Sequence, residues 1–368
     1  MSNPNNILPV DWDFIVDTIR EEKCILLLGP EIFNVPDEPF LEKRLVEYLH
    51  YPDNPDIQNY YPGDNLFLFN SRAGKTKAYY KIKGFYDQLA AQKNELLEKL
   101  ADIPFSFIIN ATPDKALSHI FESRNIRHHS LFFWKKKEPL AFVEQPSAQQ
   151  PLIYNLLGSV ERQESMVLTH TDLFEYLESV FSGNSFPERL KRSLKESNNF
   201  IFLGIPFERW YMQLLLRILY IHNDFDFVRY AANQAIDEEV RSFCFDQFRI
   251  EFVSTKIQAF VDELHQRCMH AGLYRKQQSE VESPVKRIYT LLEEDEFNEA
   301  LLSLKDYLAQ LGPSGEELID DLVLLTSKYN RLSKRIIKGI ISREEAELLS
   351  NKLRVELLEL LKEAEKAW

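Results

Sequence analysis

Cysteine is scarce in this chain: Cys24, Cys244 and Cys268 are its only three in 368 residues. They form no Cys-x-x-Cys and stand at no metal-ligand spacing to any histidine. That supports neither a disulfide framework nor a zinc site, and it fits a reducing compartment. No run approaches the ~18 apolar residues of a membrane span. The opening stretch MSNPNNILPVDWDF has neither the basic nor the apolar region of a secretory signal, so a cytoplasmic protein with no membrane contact is expected. Positive charge is also in deficit. Lys and Arg total 44 against 57 Asp and Glu, a formal net charge of −13, which works against a nucleic-acid role because phosphate binding relies on a dense positive face. Two basic clusters, Lys135-Lys136-Lys137 and the group Arg189, Lys191, Arg192 and Lys195, read as solvated surface. Internal repeats and low-complexity tracts are absent.

What is present is ordinary globular material: 45% hydrophobic, 27% charged and 12% aromatic residues, a balance that argues against disorder. The length suggests two domains. An amphipathic helix is expected over 11–22, then an apolar strand CILLL ending at Gly29, the pattern of a buried parallel strand. Helices are expected over 40–50 and 83–101, with a Pro-, Asn- and Tyr-rich surface excursion over 51–74 between them. Further strands are expected at 105–109, 130–134, 140–143, 151–157, 200–204 and 249–253. Helices are expected over 171–182, 187–196, 208–221 and 256–268. Strands alternating with helices imply a largely parallel sheet with helices on both faces, whose ligands sit at the carboxyl ends of the strands.

The composition turns polar over 272–284, which serves as a linker between an α/β domain, 1–271, and a helical one, 285–368. Beyond it every segment is helical. Phe297, Ala300, Leu301, Leu304, Leu308 and Leu311 line one face before Gly312-Pro313 stops that helix. Leu318, Leu322, Leu325, Tyr329, Leu332 and Ile336 alternate four and three residues apart, the ~3.5-residue period of a helix–helix seam. That seam serves a core within one bundle or an interface between chains. Ser342 with Glu345 is the signature of a capping box that starts the last helix. A bundle of about four helices is expected.

Four segments, in order, carry a family resemblance. The first is Leu28-Gly29-Pro30-Glu31-Ile32 after the first strand. The second is Asn110-Ala111-Thr112-Pro113-Asp114. The third is Leu156-Leu157-Gly158-Ser159, and the fourth is Gly204-Ile205-Pro206-Phe207-Glu208-Arg209. Across roughly 10–270 the chain resembles the sirtuin-like NAD-hydrolase domains of prokaryotic defence proteins. The resemblance implies a Rossmann-like α/β fold with NAD or ADP-ribose held by Gly29, Asn110, Asp114, Gly158, Ser159 and Gly204. It implies that Asn110 positions the attacking water or the ribose. It also implies a histidine acid/base where this chain has Leu157. Glu31 stands where a glycine would let the backbone approach the pyrophosphate, and Arg209 stands where an acid is expected, with Glu208 beside it as the substitute if the register slips by one. A leucine moves no proton, whereas histidine suits that task near neutral pH.

The last 85 or so residues resemble an effector-associated domain, on the stretches Glu293 to Ala300 and Lys338 to Glu345. The resemblance implies like-with-like association, hence a homo-oligomer or a partner protein of the same conflict system bound through 285–368. Other features read as unrelated to a site. Ala73-Gly74-Lys75-Thr76 is similar to the end of a phosphate loop but has Phe69 where the leading glycine belongs, and no strand is expected before it. His128 and His129 point to opposite faces of a strand. His170 reads as a surface or capping residue, or as a replacement for the missing base, and Asn110 reads equally as a cap for the helix after it. The expectation is a non-catalytic scaffold or sensor subunit. The alternatives are an active NAD glycohydrolase built on Asn110 and a structural filament protein. No metal is implied.

Overall fold

Every residue of the first strand, Cys24–Leu28, is buried, as a central parallel strand must be when helices cover both of its faces. The computed structural model describes residues 10–35, 38–132, 145–181, 188–219, 228–233, 236–275, 284–293, 296–310, 313–337 and 341–367. In chain order the strands are β1 (Cys24–Leu28), β2 (Ile57–Tyr61), β3 (Leu66–Phe69), β4 (Phe107–Asn110), β5 (His129–Phe132), β6 (Leu152–Asn155), β7 (Asn199–Leu203), β8 (Arg229–Ala232) and β9 (Ile250–Val253). β2 and β3 form an antiparallel pair. The other seven form one sheet, ordered β5-β6-β4-β1-β7-β8-β9, in which every pairing is parallel. From β1 the chain passes to β4, on to the edge strand β5, back to β6 between them, and then to the other side of β1 at β7. The crevice at the carboxyl end of β1 is therefore the topological switch point of a Rossmann-like sheet, where such folds bind ligands.

The helices of this unit are α1 (Trp12–Arg20), α2 (Leu41–Tyr48), α3 (Arg72–Ala91), α4 (Glu95–Asp102), α5 (Ala116–Ser123), α6 (His170–Phe181), α7 (Glu188–Glu196), α8 (Trp210–Ile218), α9 (Glu238–Phe248) and α10 (Ile257–His270). Successive strand side chains point to opposite faces, so Leu26 and Leu28 join the apolar residues of α1 to α5 and α10 in one core. Ile25 and Leu27 join those of α6 to α9 in the other. All three cysteines are buried and unpaired.

Several expectations change. The stretch 51–74 is no excursion: it holds the β2–β3 hairpin, with Ile57, Leu66 and Phe67 buried, and the start of α3. The helix expected over 83–101 is two helices, because side-chain caps interrupt the run. Ser71 accepts from the Gly74 amide at 3.0 Å, and Asn94 accepts from the Leu97 amide at 3.1 Å, each opening its own helix. β8 was not anticipated, since Arg229-Tyr230-Ala231-Ala232 shows no apolar run even though all four residues are buried. The strand expected at 140–143 lies outside the described residues.

By contact the chain divides into two compact units, Met1–Gln277 and Gln278–Trp368. The second contains α11 (Pro284–Glu293), α12 (Phe297–Gln310), α13 (Pro313–Ile337) and α14 (Arg343–Ala367) around its own core, with Ile288, Leu304, Leu308, Leu357 and Leu361 buried. The seam expected on α13 faces this core. Leu322, Leu325 and Leu332 are buried in it and Leu318 and Tyr329 pack against it, whereas Ile336 at its end is 46% exposed. The Glu345 amide donates to Ser342 Oγ at 3.1 Å, capping α14. Among the described residues no helix is long and apolar enough to cross a membrane.

Candidate functional site

The carboxyl ends of β1 and β7 are locked together through two glycines. The Gly29 amide donates to Leu203 O at 2.9 Å and the Glu31 amide to Gly204 O at 3.4 Å. A Cβ on Gly29 would lie 2.0 Å from the Gly204 carbonyl oxygen, and one on Gly204, whose φ is +69°, would lie 2.8 Å from the Glu31 Cβ. The close approach that demands glycine here is thus between two strand ends. A short 3-10 turn, Pro30–Phe33, follows, burying Pro30, Ile32 and Phe33.

At the end of β4, Asn110 is tied into a buried knot with the two polar residues after it. Its Nδ2 donates to Asp114 Oδ2 at 2.9 Å, and its Oδ1 accepts from the Thr112 amide at 3.1 Å and the Thr112 hydroxyl at 2.7 Å. The same hydroxyl bonds Asp114 Oδ2, while Asp114 Oδ1 accepts from the Ala116 amide at 2.8 Å, at the first residue of α5. Burial pushes the Asp114 carboxyl above its ordinary range, opposed by the bonds from Thr112, Asn110 and Ala116. On neighbouring β6, in register with Asn110, Asn155 Nδ2 donates to Asp114 O at 3.0 Å. Its own Oδ1 is buried with no hydrogen-bond partner among the described residues.

The third segment closes on itself. Gly158 has φ +92°, and a Cβ there would lie 2.1 Å from Ser165 O. The Ser159 amide donates to Ser165 Oγ at 3.0 Å. These contacts fix the turn that presents Leu157, which is half-buried, packs against the second core and lines a cavity beneath the switch point. Thr112, Phe67, Met166, Glu42 and Arg209 line it as well. The cavity measures about 60 Å³, well below the ~300 Å³ at the small end of cofactor-sized pockets.

The polar wall of that cavity is an ion pair. Arg209, 8% exposed, precedes α8 and reaches across to Glu42 on α2, with its Nη1 3.4 Å from the Tyr211 hydroxyl. Its Nε is buried without a hydrogen-bond partner among the described residues. Burial alone lowers the guanidinium pKa, and the Glu42 carboxylate with Tyr211 more than reverses that. Glu208 is exposed, so Arg209, not the neighbouring acid, faces inward. Glu31 is held above the ordinary carboxylate range first by burial, then by the carboxylates of Glu208 and Glu42. Three acids around one arginine give this corner a negative balance, which opposes an incoming phosphate.

The remaining sequence candidates lie elsewhere. His170 opens α6, its Nε2 2.9 Å from Asp64 and its ring edge-on to Tyr61, and it is not part of the cavity wall. Lys75 bonds both carboxylate oxygens of Asp172 at 2.6 Å. Contrary to expectation a strand, β3, does precede Gly74-Lys75-Thr76, but these residues form the first turn of α3. His128 bonds Ile126 O at 3.1 Å, while His129 begins β5. No group of three or more potential metal ligands exists among the described residues. Glu42, Tyr211 and Tyr86 at the cavity had no signal in the sequence, because Glu42 and Arg209 are 167 positions apart. Thr112 stood in view inside the Asn110 segment.

Residues 107–244 match the family model of the SIR2-like domain, and residues 284–365 match that of effector-associated domain 11. The chain therefore carries a SIR2-like domain followed by an effector-associated domain. No curated protein matches it. Among solved structures, one match is to Sir2 homologues, a mutant in complex with 2'-O-acetyl ADP ribose. It is 11% identical with a TM-score of 0.35, covering 70% of this chain and 97% of that one. Another, from a structural study of the mechanism and regulation of Sir2 enzymes, is 10% identical with a TM-score of 0.36, covering 72% and 99%.

Proposed function

We propose that this is a sirtuin-like protein of a bacterial conflict system that does not hydrolyse NAD. It serves as a scaffold or sensor subunit, and its helical domain recruits a protein of the same system or a second copy. The observation that carries this reading is the cavity wall. Where the resemblance calls for an acid/base histidine the wall holds Leu157, and where it calls for an acid it holds Arg209, already neutralised by Glu42. Asn110 and Asp114 are not among the residues lining the cavity, and their side chains bond each other and Thr112. Glu31 adds negative charge beside the strand end that would otherwise receive a pyrophosphate. The two-domain architecture supports the recruiting role. A second reading, NAD hydrolysis with Asn110 placing the water, draws on Thr112, which lines the cavity and is bonded to Asn110. Incubating the full chain with NAD and quantifying nicotinamide separates the two. The proposal expects none above the protein-free blank, for dispersed and assembled protein alike.

A further inference from the structure

We infer that the groove between α13 and α14 is a docking site for a basic amphipathic helix supplied by another protein. This rests on the reading that the C-terminal domain recruits a partner, and it specifies the chemistry of that partner. Asp321, Leu324, Leu325 and Lys328 repeat at helical spacing along one face of α13. Glu356, Glu359, Leu360 and Glu363 repeat in the same way along α14, and together these eight residues line a groove of about 200 Å³. Its floor is apolar: Leu325 and Leu360 are buried, and Leu324, also in the lining, is 56% exposed. An exposed leucine in one lining with buried ones offers the apolar surface that helix-in-groove recognition uses, in which apolar anchors of the incoming helix recur every third or fourth residue.

The rim decides what can enter. Four carboxylates stand against one lysine, and Lys328 is committed to Glu356 at 2.7 Å. Asp321, Glu359 and Glu363 are left without a cation among the described residues. Complementary charge fixes partner choice by suppressing like-charged alternatives. The same groove of a second copy carries the same acidic rim and is a poor occupant. The basic helix of this chain is unsuitable too, because Leu190 and Leu194 of α7 are buried in the core of the first unit. The occupant that fits both floor and rim is a helix from another protein, with leucine-like anchors flanked by lysine or arginine.

The probe is a labelled helical peptide with Leu at every third and fourth position and Lys between, alongside its counterpart with Glu for Lys. Both are titrated by anisotropy into the full-length protein. The Lys peptide is expected to bind roughly tenfold or more tighter than the Glu peptide, weakening as salt rises. Paired replacement of the exposed acids, Glu359→Lys with Glu363→Lys, is expected to reverse that preference, a gain that misfolding cannot produce. Leu324→Ser is expected to weaken binding of both. No binding of the Lys peptide, equal binding of the two, or a preference that survives the charge reversal each overturns the inference. Light scattering of the same full chain reports self-association, which the groove does not require. Lost peptide preference with association intact therefore overturns the groove alone.

Discussion

Arg209 and Glu42, separated by 167 positions in the chain, meet across the cavity beneath the switch point of the sheet, and their ion pair joins the residue preceding α8 to α2. The arginine is 8% exposed, so the pair behaves as a buried one. Its worth lies less in attraction than in what remains when one partner goes, since an uncompensated buried charge costs ~3–5 kcal/mol. Glu42→Ala is expected to lower unfolding free energy by about 3 kcal/mol in urea titrations. The double variant Glu42→Ala with Arg209→Leu is expected to recover part of that loss, because the stranded charge is gone.

The Gly29–Gly204 contact makes a prediction of opposite texture. At Gly29→Ala the new methyl meets a backbone oxygen, which cannot swing aside as a side chain would. A loss of about 3 kcal/mol or failure to fold is expected. Gly63→Ala, whose added carbon would meet nothing within 4 Å, is the matched control and is expected to leave the thermal midpoint unchanged.

Glu31 predicts a pH dependence. Its carboxyl pKa is raised in the folded protein above the ordinary 4.5, by burial and then by Glu208 and Glu42. The protonated form is thus favoured on folding. This contribution is fully present below 4.5 and is lost as pH rises through the elevated folded value. Above that folded value the ionised Glu31 is a burden on stability. Glu31→Gln is expected to be more stable than the parent at pH 7, with the difference closing as pH falls toward 4. An unchanged gap across that range contradicts the assignment of the strain to this carboxylate.

Arg275 is held in the first unit by backbone carbonyls. Its guanidinium stacks near Phe121 at 5.1 Å and donates to Ala101 O at 3.2 Å, Ile103 O at 3.1 Å, Phe105 O at 2.6 Å and Ala148 O. Burial lowers its pKa to about 10, which leaves it charged at neutral pH. A lysine cannot span that fan of carbonyls. Arg275→Lys is expected to cost about 2 kcal/mol, read as an earlier urea midpoint.

The parallel sheet was legible because its central strands are uninterrupted apolar runs: CILLL and Phe200 to Leu203 announce two-sided burial without reference to anything distant. β8 was not, because Arg229 is buried by donating to Phe248 O at 2.7 Å, an arrangement that hydropathy scores as surface. The β2–β3 hairpin hid behind its prolines and asparagines, although Asn54 is itself structural, donating to Leu49 O at 2.7 Å. Near the cavity, Leu157, Asn110 and Gly29 could be singled out from sequence because each lies in a short contiguous segment. Glu42 was not found, because only the fold brings α2 to Arg209. The glycines lie in those same segments, yet the reason each is glycine, backbone against backbone, is a tertiary fact.

The central claim concerns chemistry, and turnover addresses it without intermediaries. Wild-type protein and Asn110→Ala are incubated side by side with NAD over the same extended period, and nicotinamide is quantified against a protein-free blank. The cavity wall of Leu157, Arg209 and Glu42 predicts that both remain at the blank. Nicotinamide release by the wild type that Asn110→Ala abolishes would contradict the account.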